Sequence, residues 1–314
     1  MMQLEGRLSI ARTCELAKVS RASFYRSFQA RAPREADMVL RDAIQRVCLS
    51  TRIYGYRRVR AQLIAEGLPA DKDRIRRLMR EDNLLCLRKK KFVLTTDAEH
   101  ELEVYPNIAT DLRLTAVNQL WVADITYVRL QEQFVFLSVV LDAFSRRVIG
   151  WELDEYLHAA PTIRALGRAI ASRHPQPGIV HHSDRGVQYC CKDYVGKLRE
   201  HGFRISMSRP GSPWENAKAE SFLKTLKTEE VYLAQYKDYQ QARDSIAHFI
   251  EDVYNGQRLH SALGYVSPVA FEDNILTDPD IRNERFPEPL ADPPARGNGA
   301  SPPASGSASA VMSF

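Results

Sequence analysis

The chain has 314 residues, 44% of them hydrophobic and 26% charged, which suits one catalytic domain of ordinary size with smaller modules beside it. Its most apolar stretch, Phe134–Leu141, falls far short of the ~20 residues a spanning helix needs, and no N-terminal apolar segment leads to a cleavage site, so neither a membrane span nor a signal peptide is expected. The five cysteines form no Cys-x-x-Cys pair or zinc spacing, which fits a reducing cytoplasm, and the net charge of +5 is carried unevenly.

Residues 1–95 hold 22 Lys/Arg against 10 Asp/Glu, a local charge of +12 that reads as the footprint of a polyanion partner. Within them, residues 8–28 read as two short helices around Lys18-Val19-Ser20, with Ser20 as N-cap of the second. The pattern suits a helix-turn-helix-like segment over 1–32. A basic helical DNA-binding module over 33–95 follows, with helices from Glu35 to about Ser50, from Tyr56 to a C-cap near Gly67, and from Asp71 onward. The third carries Arg74, Arg76, Arg77 and Arg80 on one face and Ile75, Leu78 and Met79 on another. A lone charge run is commonly a solvated surface. Lying between Arg57-Arg58 and Arg88-Lys-Lys-Lys91, it favours DNA contact by Arg57, Arg58, Arg74 and Arg77.

Residues 96–118 carry one Arg against five acids and contain a proline, and read as a linker. From Gln119 the pattern changes to strands. Leu120–Leu130 and Phe134–Phe144 form a hairpin over Gln131-Glu-Gln133, and Arg147–Leu153 adds a third strand. Ala159–Arg173 is helical, Gly178–Ser183 a strand, 190–201 helical, Phe203–Ser208 a strand and Pro213–Thr228 a helix with proline in its first turn. A last helix spans about 238–254. Three antiparallel strands followed by alternating elements predict an α/β, RNase H-like catalytic core over 119–273, with a five-stranded mixed sheet and flanking helices. Residues 274–314, rich in Pro, Ala, Gly and Ser from Pro287, are expected to be a disordered tail.

Three acids stand out in this core: Asp124 in an otherwise apolar strand, Asp184 in a Gly-containing turn after the fourth strand, and Glu220 on a helix. An unpaired charge in an apolar strand is costly, and α/β sheets place ligands at strand ends. Carboxylates converging from two strands and a helix can hold Mg²⁺ through few protein ligands, leaving positions for substrate oxygens. Any three of 39 acids could be grouped this way, and most surface carboxylates hold no metal. Residue chemistry alone therefore leaves a metal site and a solvated surface both open.

The flanking motifs extend the argument. Trp121-x-x-Asp124-Ile-Thr-Tyr127, Leu141-Asp-Ala-Phe-Ser-Arg146, His182-Ser-Asp-Arg-Gly186-x-x-Tyr189, Ser206-Met-Ser-Arg-Pro-Gly211, Glu220-Ser-Phe-Leu-Lys-Thr-Leu-Lys-Thr-Glu229 and Tyr254-Asn255-x-x-Arg258-x-His260 occur in order. Together with Ser267-Pro268 they resemble the OrfB half of a two-frame bacterial insertion-sequence transposase, whose DDE core is shared with retroviral integrases. The resemblance spans about 54–272. It implies Asp124, Asp184 and Glu220 as catalytic residues and metal ligands, and two Mg²⁺ (or Mn²⁺) ions as cofactor. It further implies cleavage at element ends and 3′-OH attack on a second strand. Partners implied are the terminal inverted repeats, target DNA and an OrfA protein or OrfAB fusion, with a homo-oligomer assembled on DNA in the bacterial cytoplasm, at the nucleoid. One departure is visible, since Trp214-Glu215-Asn216 stands where the family usually has Tyr-Asp-Asn.

Lys224 and Lys227 share a helix face with Glu220, and Lys227 matches the family's position for contact with a terminal DNA phosphate. Asn216, one turn before Glu220, and Arg185, beside Asp184, are further DNA-contact candidates. His182 is a weaker substrate-contact candidate, zinc at His181 and His182 with Cys190 and Cys191 is disfavoured, and Arg258 and His260 are expected to pack. Two rivals remain: a DNA-binding regulator retaining the core as scaffold, and an RNase H-like nuclease without strand transfer.

Overall fold

The computed structural model describes residues 9–27, 35–51, 53–84, 102–110, 112–209 and 212–277. The expected Arg88–Lys91 cluster and the tail beyond 277 lie outside them. Two short helices open the chain, α1 (Ile10–Leu16) and α2 (Arg21–Ser27), with Lys18 in the left-handed region at φ 52° and the Ser20 hydroxyl accepting from Ser23 N at 3.1 Å. Helices α3 (Glu35–Ser50), α4 (Tyr56–Ala65) and α5 (Lys72–Glu81) then close around Ile44, Val47, Val59, Leu63, Ile75 and Leu78. Asp71 caps α5 by accepting from Asp73 N and Arg74 N, as its position predicts.

The core carries one five-stranded sheet in the order β3-β2-β1-β4-β5. Strands β1 (Leu120–Arg129), β2 (Phe134–Asp142) and β3 (Val148–Asp154) pair antiparallel, while β4 (Val180–Ser183) and β5 (Arg204–Met207) add in parallel. Strand alternation sends Leu120, Val122 and Val128 to one face, under α9 (Ala217–Leu226) and α10 (Tyr239–His248). Trp121 and Ala123 go to the other, against α6 (Ala159–Arg173), the single turn α7 (Val187–Cys190) and α8 (Lys192–Glu200). This three-layer, mixed-sheet arrangement is the RNase H-like fold. Helix α11 (Pro268–Thr277) completes it and covers Phe144 with Phe271.

Several boundaries differ from the sequence pattern for local reasons. Strand β2 stops at Asp142 because its carboxylate turns the chain, accepting from Phe144 N at 2.9 Å and Ser145 N at 3.1 Å. The helix expected over 190–201 is broken at Cys191, whose backbone is extended. The helix expected from Pro213 begins as a 3-10 turn, Pro213–Asn216, and widens into a π segment, Lys227–Val231; α10 likewise continues as π over Phe249–Gln257. Residues 274–277, assigned to the tail, end α11. The described residues of the segment read as a linker are irregular but not loose, because Tyr105, Ile108, Leu114 and Val117 pack on the core and Ile108 N donates to Ser206 Oγ at 3.0 Å.

Among the described glycines Gly150 is closely packed, since a Cβ there would lie 2.2 Å from Ala165 O and 2.8 Å from Ala169 N. Gly150→Ala should therefore force α6 off β3 and cost about 3 kcal/mol or more. A urea midpoint unchanged from the parent would contradict this close approach.

Candidate active site

Asp124 lies midway along β1, paired with Val139 of β2, on the even-numbered face that α9 covers. Burial pushes its carboxyl up to about 8; the Asp184 and Glu220 charges push the same way, against the Ile125 N–H (2.8 Å) and the Lys227 ammonium. Asp184 follows the last residue of β4, and its Oδ1 accepts from Gly186 N at 2.9 Å, which folds the turn around it. A Cβ at Gly186 would sit 3.0 Å from that same oxygen, so glycine leaves the carboxylate room. Glu220 stands in the first turn of α9, its side chain exposed yet its carboxyl raised by partial burial. The structure thus brings all three acids into one electrostatic neighbourhood. Among the described residues, no three acids, histidines or cysteines form a single ready-made coordination shell.

The loop before α9 is pinned on both sides of the exposed Trp214. Arg209 N and Nε donate to Glu215, both at 2.7 Å, and Asn216 Nδ2 donates to Ala123 O at 3.0 Å, tying the helix start to the strand of Asp124. Asn216 Oδ1 is buried with no hydrogen-bond partner among the described residues. Lys227 Nζ sits 4.3 Å above the Tyr127 ring; burial lowers its pKa, and Asp124 opposes the shift. Lys224, one turn earlier, faces solvent, and Arg185 Nε donates to Ser208 O at 2.8 Å.

Residues 115–213 match an integrase core domain, residues 201–268 match a second integrase core domain model, and residues 35–92 match an HTH-like domain. An insertion element IS600 31 kDa protein from Shigella sonnei is 38% identical over 264 residues, covering 83% of this chain and 97% of that protein. The chain belongs to the OrfB-type insertion-sequence transposases. Transposase InsF of insertion sequence IS3A from Escherichia coli K12 is 32% identical over 278 residues, covering 87% of this transposase and 96% of InsF. The magnesium-bound HTLV-2 integrase catalytic core is similar at 15% identity and a TM-score of 0.37, over 50% of this chain and 97% of that one, too distant to bear on chemistry. Among the described residues no helix is long and apolar enough to cross a membrane.

Other sequence candidates sit elsewhere in the transposase. Arg74 Nε and Arg77 Nη2 both donate to the buried Asp37, at 2.7 and 2.8 Å, so much of their charge is engaged inside the module. Arg57 is exposed over the Tyr56 ring, and Arg58 Nε donates to Leu259 O at 3.0 Å, tying α4 to the core. His182 is fully buried with Nδ1 on Ser206 Oγ (2.8 Å) and Nε2 on Ser208 Oγ (2.9 Å), and burial draws its pKa down to about 4. It is a neutral packing residue that cannot reach DNA, and His181, bonded to the Tyr194 hydroxyl at 2.9 Å, is another. Sequence reasoning missed Tyr127 as the seat of Lys227, although it closes the first motif. It also missed Glu215 as the anchor of the Trp214 loop, whose partner Arg209 lies only six residues away.

Proposed function

We propose that this transposase cleaves the ends of its insertion sequence and joins the freed 3′-OH to another DNA strand, using Asp124, Asp184 and Glu220 to hold two Mg²⁺ or Mn²⁺ ions. The observation that carries this is Asp124, a carboxyl pushed up first by burial in the sheet and then by Asp184 and Glu220, with no ion pair to it among the described residues. An oxygen-only donor set with excess negative charge fits a hard divalent cation, and the orphaned Asn216 Oδ1 beside it can accept from a water of such an ion. When bound, the ions supply an activated hydroxyl and a stabilised leaving oxygen. The chain's own residues do the rest. Asp124 and Asp184 are fixed by backbone amides, Asn216 sets where Glu220 enters, and Lys227, steered by Tyr127, offers its ammonium to a strand phosphate. Lys224, Arg185, Arg57 and Arg58 extend that contact, while Arg74 and Arg77 contribute mainly by holding α5 on α3.

On this reading an OrfA protein or OrfAB fusion supplies end recognition, and copies of the chain assemble on DNA to bring two ends together in the bacterial cytoplasm. Purified full chain, Mg²⁺ or Mn²⁺ and labelled element-end duplex test it. Cleavage and joining are expected, both abolished by Asp184→Ala with duplex binding intact. Binding without cleavage by the parent chain would make it a regulator, and cleavage without joining a nuclease.

A further inference from the structure

The positive charge of the helical module is divided in two. Arg41 meets Glu81 and Asp82, Arg46 meets Glu66, Arg76 meets Asp73, and Arg74 and Arg77 share Asp37. Arg57, Arg60 and Lys72 are exposed, and among the described residues no carboxylate forms an ion pair with them. Of the two acids that flank Lys72, Asp71 caps α5 and acts on Lys72 only at a distance, and Asp73 pairs with Arg76. These three cations line one groove of about 540 Å³, together with Tyr56, Gly264 and Tyr265. One wall is α4 and the start of α5; the other is a turn of the core.

Both walls are held in place. Arg60 Nε donates to Ala70 O at 3.2 Å, and the Arg57 guanidinium lies 5.6 Å from the Tyr56 ring. Gly264 and Tyr265 adopt left-handed backbone at φ 79° and 63°, with Tyr265 N donating to His260 O at 2.8 Å, which fixes the turn that lines the groove. The seam below is closed by Arg58 Nε on Leu259 O (3.0 Å) and Leu259 N on the Tyr54 hydroxyl (2.9 Å). An open concavity lined by three cations, two tyrosines and no acid, on parts joined by two hydrogen bonds, has the chemistry of a phosphate track.

We propose that this groove seats the sugar–phosphate backbone of duplex DNA as a sequence-independent clamp, so that one stretch of backbone touches the helical module and the core together. The inference rests on the chain acting on DNA and adds Arg60, Lys72, Tyr56 and Tyr265 to the surface that meets it. Arg57, Arg60 and Lys72 would each neutralise a phosphate, and the tyrosine hydroxyls can donate to phosphate or sugar oxygens.

The test uses the full chain carrying Asp184→Ala, in EDTA, binding fluorescent element-end duplex and a scrambled duplex between 50 and 200 mM salt. With Arg57→Gln, Arg60→Gln and Lys72→Gln combined, affinity at the middle of that range should fall roughly 10- to 100-fold, equally on both duplexes, and the salt slope should flatten by about 2 to 3. Arg57→Lys with Arg60→Lys should keep most of the binding, because a backbone contact needs charge rather than a fork. An unchanged slope would overturn the proposal, as would a loss confined to one duplex, or millimolar ATP or inorganic pyrophosphate competing as well as DNA does. Because no strand is cut in this assay, failure of the metal chemistry leaves it readable, and failure of the groove leaves the cleavage assay untouched.

Discussion

Asp124→Asn is expected to lower end cleavage by at least about 10³-fold while making the metal-free protein more stable at pH 8. The sign follows from the carboxyl's position: it is pushed up to about 8 in the fold against an ordinary 3.8. The folded chain therefore binds a proton that the unfolded chain has lost between those values, so the stability this proton confers is lost progressively as pH rises from about 4 to 8. Relative to asparagine, which has no proton to lose, the parent should fall behind from about pH 4 upward and stop losing ground near 8. Allowing for the partial exposure of Asp124, the gap at pH 8 should be on the order of 2 kcal/mol, or roughly 4–8 °C in Tm for a domain of this size. Mg²⁺ should reverse the order by raising the parent's Tm alone. Equal Tm values at pH 8 without metal would show that Asp124 is not in electrostatic conflict with its neighbours.

The second large effect lies away from the chemistry. Arg258 and Glu229 form a two-pronged pair, Nε to Oε2 at 2.7 Å and Nη2 to Oε1 at 2.6 Å, with side chains only 7% and 9% exposed. The pair ties the π segment that begins at Lys227 to the strand-like stretch before His260. Removing one member strands a charge in the interior, so Glu229→Ala or Arg258→Ala should cost about 3–5 kcal/mol and lower Tm by roughly 6–20 °C. Arg258→Met combined with Glu229→Leu should recover much of that loss, because the uncompensated charge is gone. Single-mutant losses under about 1 kcal/mol in thermal unfolding would mean water already screens the pair.

The sheet was legible because its strands alternate or run apolar between clear turns, and because Asp124 interrupts one of them. The three acids were legible as a set through their motifs, and the fold explains the set by placing Asp124 and Glu220 on one face with Asp184 at the strand end. What stayed hidden depends on distant partners. Asp37 claims Arg74 and Arg77 from a separate helix, and an arginine stripe looks the same whether it faces DNA or a buried acid. Asn216 reads as a candidate DNA contact by its place one turn before Glu220, yet its Nδ2 is committed to Ala123 O. The segment from 96 looked like a linker because it sets five acids against one arginine and contains a proline, and its apolar anchors follow no period.

That docked segment shifts where the core can be cut. Composition changes at Gln119, but Ile108 and Leu114 cover one layer of the sheet, Tyr105 touches the other, and Ser206 Oγ both receives Ile108 N and meets His182 Nδ1. A fragment starting at Gln119 would bare apolar surface on two sides and unpick a hydrogen-bond chain behind Asp184. A graft or truncation of this core that keeps both faces of the sheet covered therefore begins upstream of Tyr105 and carries that strap with it.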